Sequence, residues 1–186
     1  MNTRTATVAV RDTTDADIPA IRSIYAHHVT HGFGSFEETP PDEAEMAQRR
    51  RAILDRGLPY IAADIGGKLA GYAYVGPYRP RSAYRYSVED SIYVSPDMAG
   101  RGIGRALLEA LIARATAWGA RQMVAVIGDS ANAGSIGLHT SLGFRTVGTF
   151  RSIGYKRGRW VDSVTMQRAL GDGDAAPDRK STRLNS

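Results

Sequence analysis

Apolar positions along this chain follow two rhythms. Ile18, Ile21, Tyr25 and Val29 recur at helical spacing, as do Ala106, Leu107, Ala110 and Leu111. Thr14, with Asp17 three residues on, makes a capping-box pattern ahead of the first helix. Two prolines at the end of "GFGSFEETPP" lead into a charged second helix over 42–55. β-Branched and aromatic runs predict strands over 8–11, in "PYIAAD", in "LAGYAYV" and over 88–94. The Gly-Gly of "IGGK" makes the second and third of these a hairpin. A helix running to Trp118 stops at Gly119. "QMVAVIG" is continuously apolar, the pattern of a strand covered on both faces. A short helix in "SANAGSIGLHTSLGF" stops at Gly143, and two last strands follow near 146–151 and 160–167.

The strand–helix–strand unit over 88–127 implies a parallel pair with a right-handed crossover. The hairpin before it and the strands after it imply antiparallel neighbours. The sum is an α/β domain, a mixed, mostly antiparallel sheet of about seven strands with helices on both faces. The domain is expected over residues 1–170. From Gly171 to the end the chain has no periodicity and many polar residues, so a disordered tail is predicted. Its last stretch, "RKSTRLNS", is set aside from the fold reasoning, its place in the natural protein open.

Composition narrows the chemistry. With 42% hydrophobic residues, no apolar run of membrane-spanning length and no signal-peptide core at the N-terminus, a cytoplasmic, non-membrane protein is expected. The absence of cysteine removes disulfides, thiolate metal sites and a cysteine nucleophile together. The formal charge of +5 suits an anionic ligand. Its basic residues are scattered, with no dense Lys/Arg run, so no nucleic-acid partner is expected. His27 and His31 stand at i, i+4, but the glutamate of H-E-x-x-H is missing, and no metal is expected.

"SIYVSPDMAGRGIGRALLEALI" places a strand, a loop with glycines at 100, 102 and 104, and a helix in one unit. A helix N-terminus offers unpaired N–H groups and a positive dipole end, and glycines let an anion come close. Phosphate is the usual guest. The loop has no lysine for a P-loop, and Arg105 and Leu107 stand where the dinucleotide-binding pattern needs its last glycine.

This stretch resembles the acetyl-CoA motif of the GNAT N-acetyltransferases, Gln/Arg-x-x-Gly-x-Gly/Ala after a hydrophobic strand. Gly102 and Gly104 fill its glycines, and Ala99 departs from its first position. "NAGSIGLHTSLGF" resembles the second half of that fold, and the likeness covers residues 8–170. "GPYRPRSAYRYSVEDSIYV", "SFEETP", "MVAVIG" and "GYKRGRWVDSVTMQ" resemble the branch that acetylates phosphinothricin and methionine sulfone or sulfoximine. The resemblance implies acetyl-CoA as co-substrate, bound where the sheet splays between its two parallel strands. Ile92, Tyr93 and Val94 would pair with the pantetheine arm as an added strand. Main-chain groups from Ala99 through Gly100, Arg101, Gly102, Ile103 and Gly104 to Arg105 would hold the pyrophosphate, with the Arg101 and Arg105 side chains offsetting Ala99. Asn132 would lie against the pantetheine, as well as capping a helix, with Ser141 near it. A homodimer is implied, with "GYKRGRW" near the partner.

Amide formation needs a deprotonated amine. Strand neighbours point to opposite faces, so only one of Glu89 and Asp90 is expected to face the cleft. The resemblance selects Glu89 as base. His139 stands where many family members have a tyrosine acid; it donates a proton to the thiolate or only shapes the pocket. An N–H near Val94 would stabilise the oxyanion. Without cysteine, direct attack in a ternary complex is expected. Arg79 and Arg81, flanking Pro80, suit a carboxylate or phosphinate-like anion. Phe36, Tyr84 and Tyr93 would wall the amine's pocket. The expected activity is N-acetylation of a small amino acid. The alternatives are another amine, such as a peptide N-terminus or a polyamine, and a non-catalytic acyl-CoA sensor.

Overall fold

A computed structural model describes residues 7–175. Seven strands form one sheet in the order β1-β2-β3-β4-β5-β7-β6. They are β1 (Ala9–Asp12), β2 (Tyr60–Ile65), β3 (Lys68–Pro77), β4 (Ser87–Val94), β5 (Gln122–Gly128), β6 (Arg145–Lys156) and β7 (Arg159–Ala169). Every neighbouring pair is antiparallel except β4 and β5.

Period-2 alternation gives the sheet two apolar faces. Ile61, Ala73, Val75, Val88 and Met123 pack with Leu107 and Leu111 of α3 (Ile103–Trp118). Tyr60 and Tyr72 face the other way, onto Ile21, Tyr25 and Val29 of α1 (Ile18–His31) and Met46 of α2 (Glu43–Leu54). A fourth helix, α4 (Ala133–Ser141), follows β5.

Local chemistry sets the ends. Asp42 caps α2 by accepting from the Glu45 N–H at 2.8 Å. Asp17 accepts from the Thr14 N–H at 2.7 Å, ahead of a short 3₁₀ turn rather than directly before α1. Gly66 and Gly67 turn β2 into β3 with positive φ.

Three departures from the sequence reading matter. The β6–β7 hairpin is longer than expected, because Arg157 and Gly158 take positive φ (51° and 76°) and close a two-residue turn. The continuously apolar β5 is not covered throughout: Val126 is 44% exposed. The parallel pairing runs only from Ser87↔Gln122 to Asp90↔Ala125, after which the strands part and uncover it. The packed chain also continues past residue 170, where turns return Gly173 N–H to the Leu170 carbonyl and Ala175 N–H to Asp172. Residues 1–6 of the expected domain and 176–186 of the expected tail lie outside the described residues.

Candidate active site

The fork between β4 and β5 opens into a cavity of about 1200 Å³. The ladder decides which main-chain groups face it. Ser95 N–H donates to the Ala70 carbonyl and Tyr78 N–H to the Ser87 carbonyl. Antiparallel alternation then sends the N–H and C=O groups of Ser87, Glu89, Ser91 and Tyr93 to β3, and those of Val88, Asp90, Ile92 and Val94 toward β5. Val88 and Asp90 meet β5 there, whereas Ile92 and Val94 lie beyond the last parallel pair, facing the gap. Of the three residues expected to offer an edge, Tyr93 therefore contributes its ring and not its main chain. The Val94 carbonyl has a side-chain partner at 2.8 Å, Nε2 of His28 on α1. That acceptor requires a proton on Nε2, and burial of the ring lowers its pKa.

At the end of β4 the chain enters the glycine loop. Gly100 and Gly102 both have φ of +78° and nothing within 4 Å of a would-be Cβ. Ala99, Gly100, Gly102, Ile103 and Gly104 line the cavity, so the first-turn N–H groups of α3 border it. These features fit a pyrophosphate held by main-chain amides. Arg101 and Arg105 are not in the cavity wall. Arg105 instead bonds Glu109 at 2.8 Å and the Ser141 hydroxyl at 3.1 Å, and Ser141 too is outside the wall. Asn132 both lines the cavity and caps α4, accepting from the Ser135 N–H at 3.1 Å.

Residues Glu89 and Asp90 both border the cavity. Their side chains leave β4 on opposite faces, and the Asp90 side chain is buried. Glu89 is half-buried. Desolvation raises its pKa, the Asp90 charge adds to this, and Arg79 opposes it. Asp90 is buried, with Oδ2 3.0 Å from Nε2 of His139 on α4. Nothing in the sequence links these two residues, which the fold brings together from elements 49 positions apart.

Arg79 reaches the cavity and Arg81, which opens the 3₁₀ turn over Ser82–Tyr84, does not. Tyr84 also stays off the wall; it packs edge-on against Tyr78, 5.6 Å between centroids, and Tyr78 is the lining ring. Phe36 and Tyr93 line the cavity as expected. The far wall, unforeseen from the pattern, is β6, through Val147, Thr149, Phe150 and Ile153. His27 and His31 stack at 4.6 Å, and among the described residues no group of three or more His, Asp or Glu side chains is placed to hold a metal.

The model of the "Acetyltransferase (GNAT) family" matches residues 21–144. A phosphinothricin N-acetyltransferase of Alcaligenes faecalis is 54% identical over 89% of this chain and 84% of its own. An L-methionine sulfoximine/L-methionine sulfone acetyltransferase of Pseudomonas aeruginosa is 42% identical over 91% of this chain and 98% of its own. Among solved structures, a GNAT superfamily phosphinothricin acetyltransferase from Sinorhizobium meliloti, in complex with AcCoA, superposes with a TM-score of 0.91. It is 48% identical, and 94% of each chain is covered. A forked sheet with a glycine loop at its mouth, a family match over more than half the chain and this degree of identity agree: the protein belongs to the GNAT acetyltransferase family.

Proposed function

We propose that the protein moves the acetyl group of acetyl-CoA to the α-amine of a small amino acid with a tetrahedral anionic or sulfone-like end. Phosphinothricin, methionine sulfone and methionine sulfoximine are the acceptors it should favour. The observation that carries this reading is Glu89, half-buried at the fork with a raised pKa and with Arg79 on the same cavity.

Acetyl-CoA supplies an activated acyl carbonyl and a thiolate leaving group. Everything else falls to this chain's residues. The N–H groups bordering Gly100–Gly104 hold the pyrophosphate, and the main-chain edge at Ile92 takes the pantetheine, the Val94 carbonyl being held by His28. Asn132 stands beside it. Glu89 takes a proton from the ammonium, for which a raised carboxyl pKa is an advantage near neutral pH. Arg79 receives the acceptor's anionic end, with Phe36, Tyr78 and Tyr93 around it. The Val94 N–H faces the gap and is the donor assigned to the oxyanion.

Two further assignments belong to this reading. Val147, Phe150, Ile153, Tyr155 and Trp160 are each more than half exposed along the β6–β7 hairpin, and a second copy of the chain is proposed to cover them. A cytoplasmic location belongs to the same proposal. No helix among the described residues is long and apolar enough to cross a membrane.

The experiment is CoA release measured with the three named acceptors, a peptide with a free N-terminus and a polyamine. Turnover confined to the peptide or polyamine would replace the acceptor class. Acetyl-CoA binding without turnover on any amine would make the protein a sensor.

A further inference from the structure

His139 is 4% exposed and Asp90 8%, and the ring is held between two groups. Its Nε2 lies 3.0 Å from Asp90 Oδ2, and its Nδ1 lies 2.7 Å from the Ser135 carbonyl oxygen. A backbone carbonyl only accepts hydrogen bonds, and so does a carboxylate. A ring flanked by two acceptors needs a proton on each nitrogen. Phe144 packs edge-on against it, 5.0 Å between centroids, and restrains rotation out of this arrangement.

The surrounding charges agree. Asp90 faces the ring from β4. Glu89, next in the chain, leaves β4 on the other face. The β5 and β7 residues that line the cavity, 125–128 with Ser163 and Thr165, carry no titratable group. Burial by itself lowers the ring's pKa, but the hydrogen bond and charge of Asp90, with the Ser135 carbonyl, more than reverse this. Asp90 Oδ1 is buried with no hydrogen-bond partner among the described residues, so the carboxylate has His139 as its cation.

We infer that His139 is a positioning residue, held as an imidazolium that keeps the Asp90 carboxylate charged at the fork, and that it does not donate the proton taken by the leaving thiolate. The second half of this inference rests on the proposed function. Surrendering the Nε2 proton would strand a buried carboxylate that already lacks one partner. The reaction balances without it. As the C–N bond forms and the C–S bond breaks, the ammonium's three protons are all accounted for. Glu89 takes one, one stays on the amide, and one passes to the thiolate sulfur from the attacking nitrogen or through water. The pair's place is mechanical: it ties α4, whose N-terminus carries Asn132, to β4 across the open fork.

The test uses the whole protein with ¹⁵N-labelled histidine, the His139 resonances being assigned from His139→Gln. In the free protein both His139 ring nitrogens should still read as protonated at pH 7, where an ordinary imidazole is mostly neutral. In Asp90→Asn, which keeps the shape and removes the charge, the same ring should be neutral at pH 7. A neutral His139 at pH 7 in the unaltered protein would overturn the inference. In kinetics, His139→Gln should lower kcat while keeping the alkaline limb of the pH profile; loss of that limb would identify His139 as the acid after all. The resonance readout needs no turnover, so it stands even if none of the acceptors is acetylated, and the failures of the two readings are distinguishable.

Discussion

Lys156 Nζ donates to the Ser35 carbonyl at 2.6 Å, joining the end of β6 to the loop that carries Phe36. Burial lowers the pKa of this amine, and Arg157 beside it adds to the effect. The same loop is held from α1, where the Tyr25 and Ser35 hydroxyls meet at 2.9 Å. A wall of the cavity thus depends on a residue from the far end of the chain. Lys156→Met would leave the Ser35 carbonyl unpaired, at a cost of about 1–3 kcal/mol. The expected outcome is a lower urea midpoint together with an acceptor KM raised several-fold, the KM for acetyl-CoA changing less.

A second anchor is steric. A Cβ on Gly128 would stand 1.9 Å from the Phe33 carbonyl oxygen. Gly128→Ala must therefore move the loop or the end of β5, and backbone offers no rotamer by which to yield. A loss of about 3 kcal/mol is expected in chemical denaturation, with acceptor binding weakened alongside.

Glu89→Gln removes the proposed base and keeps the size of the side chain. A fall in kcat of about 10²–10⁴ is expected, with the acid limb of the pH–rate profile abolished. An unchanged rate would remove Glu89 from the chemistry.

Arg79 lowers the Glu89 pKa that burial and Asp90 raise. Taking away the cation leaves the charged carboxylate less favoured, so in Arg79→Gln the acid limb of kcat/KM should move to higher pH. The KM for an acceptor with an anionic end should rise about tenfold, the scale of one charge-assisted hydrogen bond, and that for an uncharged analogue far less.

Stability should carry the mark of His139. Its folded pKa lies above the ordinary imidazole value, so the folded state holds the proton more tightly than the unfolded chain. This contribution is fully present below about pH 6.5 and is lost as pH rises through the folded value. Denaturation midpoints of the unaltered protein and of Asp90→Asn should differ most on the acid side of neutrality and converge above it.

Much of this was written in local pattern. The periods of the helices, the β-branched runs, the Gly66-Gly67 turn and the strand–loop–helix around Gly100, Gly102 and Gly104 are short-range features, set by backbone sterics and side-chain shape within a few residues. They established the mixed sheet, the parallel pair and the glycine loop at the start of α3, and Glu89 could be placed beside them. The length of the β6–β7 hairpin was hidden because Arg157 is not a residue that announces positive φ.

What the tertiary structure alone decided are relationships across the chain. Asp90 meets His139, Lys156 meets Ser35, and Arg79 enters the cavity while Arg81 stays out. Alternation along one strand tells which face a side chain takes. Only the packing of separate elements tells what stands opposite it, because burial, charge pairing and cavity shape depend on neighbours that sequence distance does not encode.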